Sequence, residues 1–119
     1  MKVRDITKVL NAELLSGDEN QLDTEIFTVA ASDLMSDILA RVEIPDMLLT
    51  GLSNSQVIRT SSIFGIKVVM LVRGKPVDST VVELAKEEGI LLMMTKVSMF
   101  DSCGILYEIG LRSVKSVES

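Results

Sequence analysis

The sequence predicts an α/β domain in which a mostly parallel sheet is flanked by helices, a three-layer arrangement of repeated strand–helix units. Two short apolar runs predict strands, at residues 66–72 and 90–94. Between them, residues 79–88 carry Val81, Leu84 and Ala85 at helical spacing. Strands that are apolar on both faces and separated by an amphipathic helix are typical of parallel strands buried on both sides.

The same alternation extends upstream and downstream along the chain. A right-handed crossover is expected for each strand–helix–strand unit. The predicted strands are residues 12–15, 26–31, 47–50, 66–72 and 90–94. The predicted helices are residues 3–10, a segment capped by Ser32 and carrying Leu34, Ile38, Leu39 and Val42, and residues 54–64, 79–88 and 98–109.

Capping residues delimit several of these helices. Asp78 is predicted to be an N-cap and Gly89 to follow the end of the same helix. Ser98 with Asp101 predicts a capping box that opens the last helix. That helix is expected to carry four residues on one face, namely Phe100, Cys103, Leu106 and Tyr107.

Length, charge and composition exclude several classes of protein. The 119 residues correspond to one domain, and a single cysteine excludes an internal disulfide framework. The N-terminus is charged and no apolar run is long enough for a membrane span, so we expect a cytoplasmic protein without membrane contact. A net charge of -5 and an aromatic content of 3% argue against nucleic-acid binding.

Residues 46–110 resemble the DRTGG domain family. They read DMLLTGLSNSQVIRTSSIFGIKVVMLVRGKPVDSTVVELAKEEGILLMMTKVSMFDSCGILYEIG. The framework around the family motif is kept at Pro76 and at Glu87-Glu88-Gly89, and residues 12–42 fit the front of the family pattern. The motif itself differs: Leu52-Ser53-Asn54 stands where the family has Asp-Arg, and Val72-Arg73-Gly74 stands for Thr-Gly-Gly.

The resemblance implies a fold and a type of role. It implies a single DRTGG-like α/β domain over residues 1–112, followed by a polar tail at 113–119. Members of this family stand alone or accompany other domains, such as CBS domains in regulated pyrophosphatases, and the family has no established catalytic activity. The resemblance therefore implies regulation or assembly.

A ligand site is expected where the parallel strands end, because open parallel sheets bind ligands beyond their carboxyl ends. The candidate residues are polar, cationic or glycine residues that follow the strands: Thr50, Gly51, Ser53, Asn54, Arg73, Gly74, Lys75, Thr95, Lys96 and Ser98. Cations and helix N-termini at one edge favour an anion such as a nucleotide. The alternative is that Ser53, Asn54 and Ser98 are helix caps and the cations are solvated.

Other chemistries find little support in the sequence. The chain has no histidine, which excludes Ser/His and Cys/His catalysis and histidine metal sites. Arg73-Gly74-Lys75-Pro76 lacks the first glycine and the Ser/Thr of a P-loop. Cys103 is expected to be an inert core thiol. Asp33 and Asp37 lie four residues apart and could bind a cation, but solvent-facing charge is the preferred reading.

These observations predict a non-catalytic regulatory or sensory module, with no cofactor, no catalytic residue and no metal site. An anionic small molecule is the expected ligand. The alternative is a dimerisation or protein-interaction domain that has no small-molecule ligand. In either case we expect a homodimer, because the aliphatic content is high and a parallel sheet leaves edge strands to cover.

Overall fold

The computed structural model describes residues 1–40 and 43–114 of the chain. A short 3₁₀ turn at Gln21–Asp23 follows the first strand. The helices are α1 (Val3–Val9), α2 (Met35–Leu39), α3 (Ser55–Phe64), α4 (Ser79–Glu87) and α5 (Met99–Glu108). The strands are β1 (Glu13–Ser16), β2 (Thr28–Ala31), β3 (Met47–Thr50), β4 (Val68–Leu71), β5 (Leu91–Met94) and β6 (Arg112–Ser113).

The strands form one sheet with the order β1-β5-β4-β3-β2-β6. Strands β5, β4, β3, β2 and β6 pair in parallel, and β1 pairs antiparallel with β5. In the central register, Val69 lies between Leu48 of β3 and Leu92 of β5. The predicted α/β class with a mostly parallel sheet is confirmed, and the carboxyl ends of the five parallel strands lie at one edge.

The central strands are buried on both faces, as their apolar runs predict. Every residue of β3 and β4 is buried. Val68, Val69, Leu71 and Leu92 are each exposed by 3% or less. Their predicted place in the core is confirmed, so the segments that follow these strands start from a rigid support.

Helices cover the sheet in two layers, which gives the predicted three-layer domain. Helices α1 and α5 contribute to the core on one face, where Ile6 and Leu106 pack with Leu49. Helices α2, α3 and α4 contribute on the other face. Successive strand residues alternate between the two cores, so that Leu48 faces one and Leu49 the other.

Predicted caps delimit α3 and α4. The Asn54 side chain accepts a hydrogen bond from the Val57 backbone N–H at 3.2 Å, and Asp78 accepts one from the Thr80 N–H at 2.9 Å. That bond is the main reason why the pKa of Asp78 is below its usual value. Gly65 and Gly89 have positive φ at the carboxyl ends of these two helices, as a glycine at that position allows.

Two sequence predictions about the last part of the chain require correction. The buried side of α5 is formed by Ser102 and Leu106, whereas Phe100 and Tyr107 are exposed. The helix is therefore rotated relative to the predicted apolar face. Ser113 is not in a tail, because it belongs to β6 and pairs with Val29.

Other boundaries differ slightly from the sequence prediction. The second strand begins at Thr28 rather than at residue 26. The Ser32 hydroxyl accepts a hydrogen bond from the Leu34 N–H at 3.0 Å, and α2 itself begins at Met35. Val42 and residues 115–119 of the predicted tail lie outside the described residues.

Candidate functional site at the carboxyl ends of the strands

The end of β3 places a buried threonine and a glycine at the carboxyl edge. Thr50 has no exposed surface, and its hydroxyl accepts a hydrogen bond from the Leu52 N–H at 3.2 Å. Gly51 follows with its backbone N–H directed at the side chain of Asp33. A Cβ at Gly51 would overlap the guanidinium of Arg73, so glycine is required for this close approach.

The turn after β4 has an unusual backbone that orients Arg73. Arg73 and Gly74 both have positive φ, at 73° and 62°, and this region is costly for a residue with a Cβ. Two hydrogen bonds hold the turn against the segment after β5: the Arg73 N–H donates to the Val97 carbonyl at 3.1 Å, and the Gly74 N–H donates to the Thr95 carbonyl at 2.9 Å. The turn thereby directs Arg73 across the strand ends towards Gly51.

Asp33 completes the group, although the sequence analysis assigned it to solvent or to a cation. Its Oδ1 accepts hydrogen bonds from the Gly51 N–H at 2.7 Å and the Thr50 hydroxyl at 3.4 Å. Its Oδ2 accepts one from Arg73 Nη2 at 3.1 Å, which also forms an ion pair. Asp33 therefore bonds to two strand ends, and its side chain is also 38% exposed, as a solvent-facing charge is expected to be. We call Asp33, Thr50, Gly51 and Arg73 the carboxyl-edge cluster.

The ionised form of Asp33 is stabilised by this environment. The hydrogen bond from the Gly51 N–H is the main cause that lowers the pKa of Asp33 below its ordinary value, and partial burial opposes it. The hydrogen bond and charge of Arg73 lower the pKa further, and the Thr50 hydroxyl adds a smaller effect. The cluster is thus a set of donors arranged around a negative charge.

The end of β5 has a similar threonine that serves a structural purpose. The hydroxyl of Thr95 donates to the Leu10 carbonyl at 2.6 Å and accepts from the Val97 N–H at 3.2 Å. Thr95 is buried, so its hydroxyl is committed to joining α1 to the sheet. Lys96 follows, and its side-chain stem lies so close to Gly74 that a Cβ there would be only 3.0 Å from Lys96 Cγ.

The remaining predicted residues are two helix caps, two exposed lysines and one partly buried serine. Asn54 and Ser98 are N-caps, and the Ser98 hydroxyl accepts from the Asp101 N–H at 3.1 Å. Lys75 and Lys96 are exposed and form no ion pair with any residue among 1–40 and 43–114. Ser53 is partly buried beside the cluster. The edge therefore combines one engaged cation with two lysines that are available to a ligand.

A small apolar pocket lies elsewhere, between α5 and strands β2, β3 and β6. Its volume is about 200 Å³, and it contains none of the predicted site residues. Cys103 lies in its wall, and burial raises the pKa of that thiol. Burial therefore favours the neutral thiol, whereas the thiolate is the nucleophilic form. The carboxyl edge is therefore the candidate binding site, because charged and polar groups converge there.

Within the part of the chain that the structure describes, no three His, Cys, Asp or Glu side chains are grouped so that they could hold a metal ion. None of the described helices is both long enough and apolar enough to cross a bilayer.

Comparison with known proteins decides the family. The model of the DRTGG domain matches residues 5–109. The chain belongs to the DRTGG domain family. This confirms the resemblance drawn from the Pro76 and Glu87-Glu88-Gly89 framework, in spite of the altered motif. No curated protein matches the chain.

A solved structure shares the fold of this DRTGG domain. It is the crystal structure of the CBS and DRTGG domains of the regulatory region of a Clostridium perfringens pyrophosphatase, complexed with its activator, diadenosine tetraphosphate. The TM-score is 0.70 at 15% sequence identity. The match covers 88% of this chain but only 45% of that chain, so the DRTGG domain described here spans less than half of it.

The sequence places Asp33 at this edge of the DRTGG domain, but an acidic residue is not by itself a candidate for binding an anion. Ser32 and Asp33 directly follow β2, and the rule that ligands bind beyond strand ends applies to β2 as well as to β3 and β4. The rule brings Asp33 to the same edge as Arg73. The sequence does not reveal that Arg73 has a left-handed backbone, nor that its guanidinium lies against Asp33.

Proposed function

We propose that this chain is a non-catalytic regulatory module that binds an anionic small molecule, most simply a nucleotide or another phosphate compound, at the carboxyl-edge cluster. The observation that carries the proposal is that the Arg73 guanidinium and the Gly51 N–H converge on one negative group, the Asp33 carboxylate. A planar guanidinium beside a backbone N–H is a common arrangement for binding phosphate or carboxylate groups.

The charge distribution supports the same proposal. The chain has a net charge of -5, yet Arg73, Lys75 and Lys96 gather at one edge. Lys96 lies against Gly74, directly beside the turn that carries Arg73. Lysines act as point charges that attract an oligophosphate, whereas arginine can fix the orientation of one phosphoryl group.

The relatives add support for regulation. The structure with the same fold is part of the regulatory region of an enzyme, and its activator carries four phosphates between two adenosines. We propose that this chain shares with that protein a regulatory role and a ligand that carries phosphate. The residues proposed here to contact the ligand come from this chain's own geometry.

A thermal-shift experiment with ATP, diadenosine tetraphosphate and pyrophosphate tests the proposal. A ligand at one hundred times its dissociation constant is expected to stabilise the protein by about 2.7 kcal/mol. Arg73→Glu should abolish the shift without unfolding the protein, because the Arg73 side chain is 39% exposed in a surface turn.

Arg59→Glu is the matched control for this charge reversal. Arg59 is exposed on α3, and within the described residues its only side-chain hydrogen bond is to the Ser55 hydroxyl at 3.5 Å. This variant should keep the shift. If the parent protein binds none of the three compounds, or if Arg73→Glu binds them equally well, the proposal is wrong.

An interaction or dimerisation domain is the second candidate, and exposed apolar side chains favour it. Phe100 on α5 is 86% exposed, and Ile63 on α3 is 78% exposed on the opposite face of the sheet. A partner that covers such side chains removes apolar surface from water, which favours association. We propose a homodimer on this basis. Sedimentation at micromolar concentration tests it, and a monomer mass that does not change with concentration would contradict it.

A further inference from the structure

The Asp33 carboxylate fills the position that a bound anion would take. One of its oxygens accepts from the Gly51 N–H at 2.7 Å and from the Thr50 hydroxyl at 3.4 Å. The other oxygen accepts from Arg73 Nη2 at 3.1 Å. Each oxygen therefore has its own set of donors, contributed by two different strand ends.

We propose that Asp33 is a built-in competitor, whose carboxylate occupies the phosphoryl subsite and must leave before a ligand can bind there. This inference rests on the proposed function and adds a regulatory device to it. A phosphoryl group replaces the carboxylate oxygen for oxygen: one of its oxygens takes the Gly51 and Thr50 donors, and a second takes Arg73.

The inner donors are buried and already bonded to the Asp33 carboxylate. Thr50 and Gly51 are buried, whereas the side chains of Asp33 and Arg73 are 38% and 39% exposed. The donors of Thr50 and Gly51 that Asp33 now accepts from become available only when its carboxylate moves outwards. The exposed side chain can make that movement without disturbing the core.

The unused donors of Arg73 indicate which anion displaces Asp33. Within residues 1–40 and 43–114, only Nη2 of this guanidinium donates a hydrogen bond. A simple carboxylate offers two oxygens and would match Asp33 without an advantage. A phosphoryl group offers a third oxygen and more charge, so it can also use the unused donors and approach Lys96. The subsite should therefore prefer phosphate compounds to carboxylates.

Displacement of Asp33 also couples the ligand to the helix that follows. The Ser32 N–H is held by the Leu49 carbonyl at 3.0 Å, and the Asp33 side chain bonds to Gly51 and Arg73 just before α2 begins at Met35. Release of its side chain removes the attachment of α2 to Gly51 and Arg73. Ligand occupancy is thus transmitted to the start of α2, where Leu34 is exposed.

The competition has a measurable consequence for affinity. When a site is free only a fraction of the time, the apparent dissociation constant rises in inverse proportion to that fraction. If Asp33 occupies the subsite in about nine molecules of ten, removal of the carboxylate should tighten binding by about tenfold.

Pyrophosphate binding to the full chain tests this proposal by isothermal titration calorimetry. Asp33→Asn removes the charge but keeps the shape, and Asp33→Ala removes both. We expect tighter binding than in the parent for both variants, with the larger gain for Asp33→Ala. Acetate should bind none of the proteins detectably. Far-ultraviolet circular dichroism confirms that each variant is folded.

Asp101→Asn is the matched control. Asp101 lies in the first turn of α5 at the same edge, but its carboxylate contacts neither Gly51 nor Arg73. It removes one negative charge without opening the subsite, so the affinity should change by less than about twofold because exposed charges are screened. A gain equal to that of Asp33→Ala would mean that the effect is general charge, and would overturn the proposal.

The other outcomes separate the competitor from the proposed function. If the parent binds pyrophosphate in an Arg73-dependent manner and neither Asp33 variant binds tighter, the function stands and the competitor is wrong. If only the Asp33 variants bind, and Arg73→Glu in the Asp33→Ala background abolishes that binding, the competitor is supported and the proposed function of the parent protein is wrong. If no variant binds, both proposals fail.

Discussion

Thr50 and Thr95 end strands on either side of β4, and they use the same local turn with different partners. Each hydroxyl accepts a hydrogen bond from the N–H two residues ahead, at 3.2 Å in both cases. The Thr95 hydroxyl donates to a buried main-chain carbonyl, that of Leu10, whereas the Thr50 hydroxyl donates to the partly exposed Asp33 carboxylate. The threonine after β5 is therefore bonded to a fixed main-chain carbonyl, whereas the threonine at the end of β3 is bonded to a side chain that can move away.

This difference indicates which of the two strand ends a ligand could bind without disrupting the fold. A ligand that replaced the buried Leu10 carbonyl as the partner of Thr95 would detach α1 from the sheet. This would cost a large amount of free energy, because buried hydrogen-bonding groups would lose their partners. Replacing an exposed carboxylate requires only a rotation of one side chain. The end of β3 is therefore suited to exchange, and the end of β5 to stability.

The largest expected effect is a loss of stability in the core of β3 and β5. It tests whether the strands that carry Thr50 and Thr95 are equally important to the core. Leu48 of β3 and Leu92 of β5 are both fully buried. Leu48→Ala and Leu92→Ala should each lower the free energy of unfolding by about 2 to 5 kcal/mol, through lost burial and a cavity. Urea melts measure both. A loss below about 0.5 kcal/mol for either variant would mean that its strand is misplaced.

The next effect compares the two threonines directly. Thr95→Val leaves the Leu10 carbonyl and the Val97 N–H without their partner in a buried site, and should lower the free energy of unfolding by about 1 to 3 kcal/mol. Thr50→Val should cost less, because Asp33 keeps its bonds to Gly51 and Arg73. Denaturant melts of the two variants decide, and an equal or larger loss for Thr50→Val would contradict the comparison.

Helix caps beside the two ends should have matched, smaller effects. Asn54 caps α3 after β3, and Ser98 caps α5 after β5. Asn54→Ala and Ser98→Ala should each destabilise the protein by about 1 kcal/mol. Thermal unfolding measures the losses. If Asn54→Ala also abolished pyrophosphate binding while Ser98→Ala did not, Asn54 would be a ligand contact as well as a cap.

The smallest expected effect is the pH dependence that Asp33 contributes. Its pKa is lower in the folded protein than the ordinary value of an aspartate, chiefly through the Gly51 N–H. The ionised carboxylate therefore stabilises the fold above about pH 4, and this contribution is lost as the pH falls through the native pKa. The difference in the free energy of unfolding between the parent and Asp33→Asn should shrink over that range. A difference that grew on acidification would contradict the assignment.

Much of this architecture follows from the sequence, because its causes are local. The apolar runs at Val69 and Leu92, and the caps at Asn54 and Asp78, each depend on residues within a few positions. The partners of the cluster do not. Asp33 and Arg73 are 40 residues apart, and they meet across Gly51, where a side chain would overlap the Arg73 guanidinium.

The local sequence pattern does not predict the rotation of α5, for a related reason. Phe100 and Tyr107 are large and apolar enough to predict a buried face. The fold buries Ser102 instead, and Tyr107 stacks with the guanidinium of Arg112 at 3.9 Å from the ring centre. Strand β6, which carries Arg112, has only two residues and no recognisable strand pattern. The local pattern could not include a partner that forms only in the folded sheet.

The pKa of Asp33, measured by carbon-detected NMR with and without saturating pyrophosphate, tests most directly whether its carboxylate occupies the anion's place. Without ligand we expect the pKa below the ordinary aspartate value, because the Gly51 N–H stabilises the ionised form. With pyrophosphate bound, Asp33 loses those donors and lies beside a new negative charge, so its pKa should rise. A pKa that stayed low while pyrophosphate was bound would mean that the anion sits elsewhere, and would contradict the account.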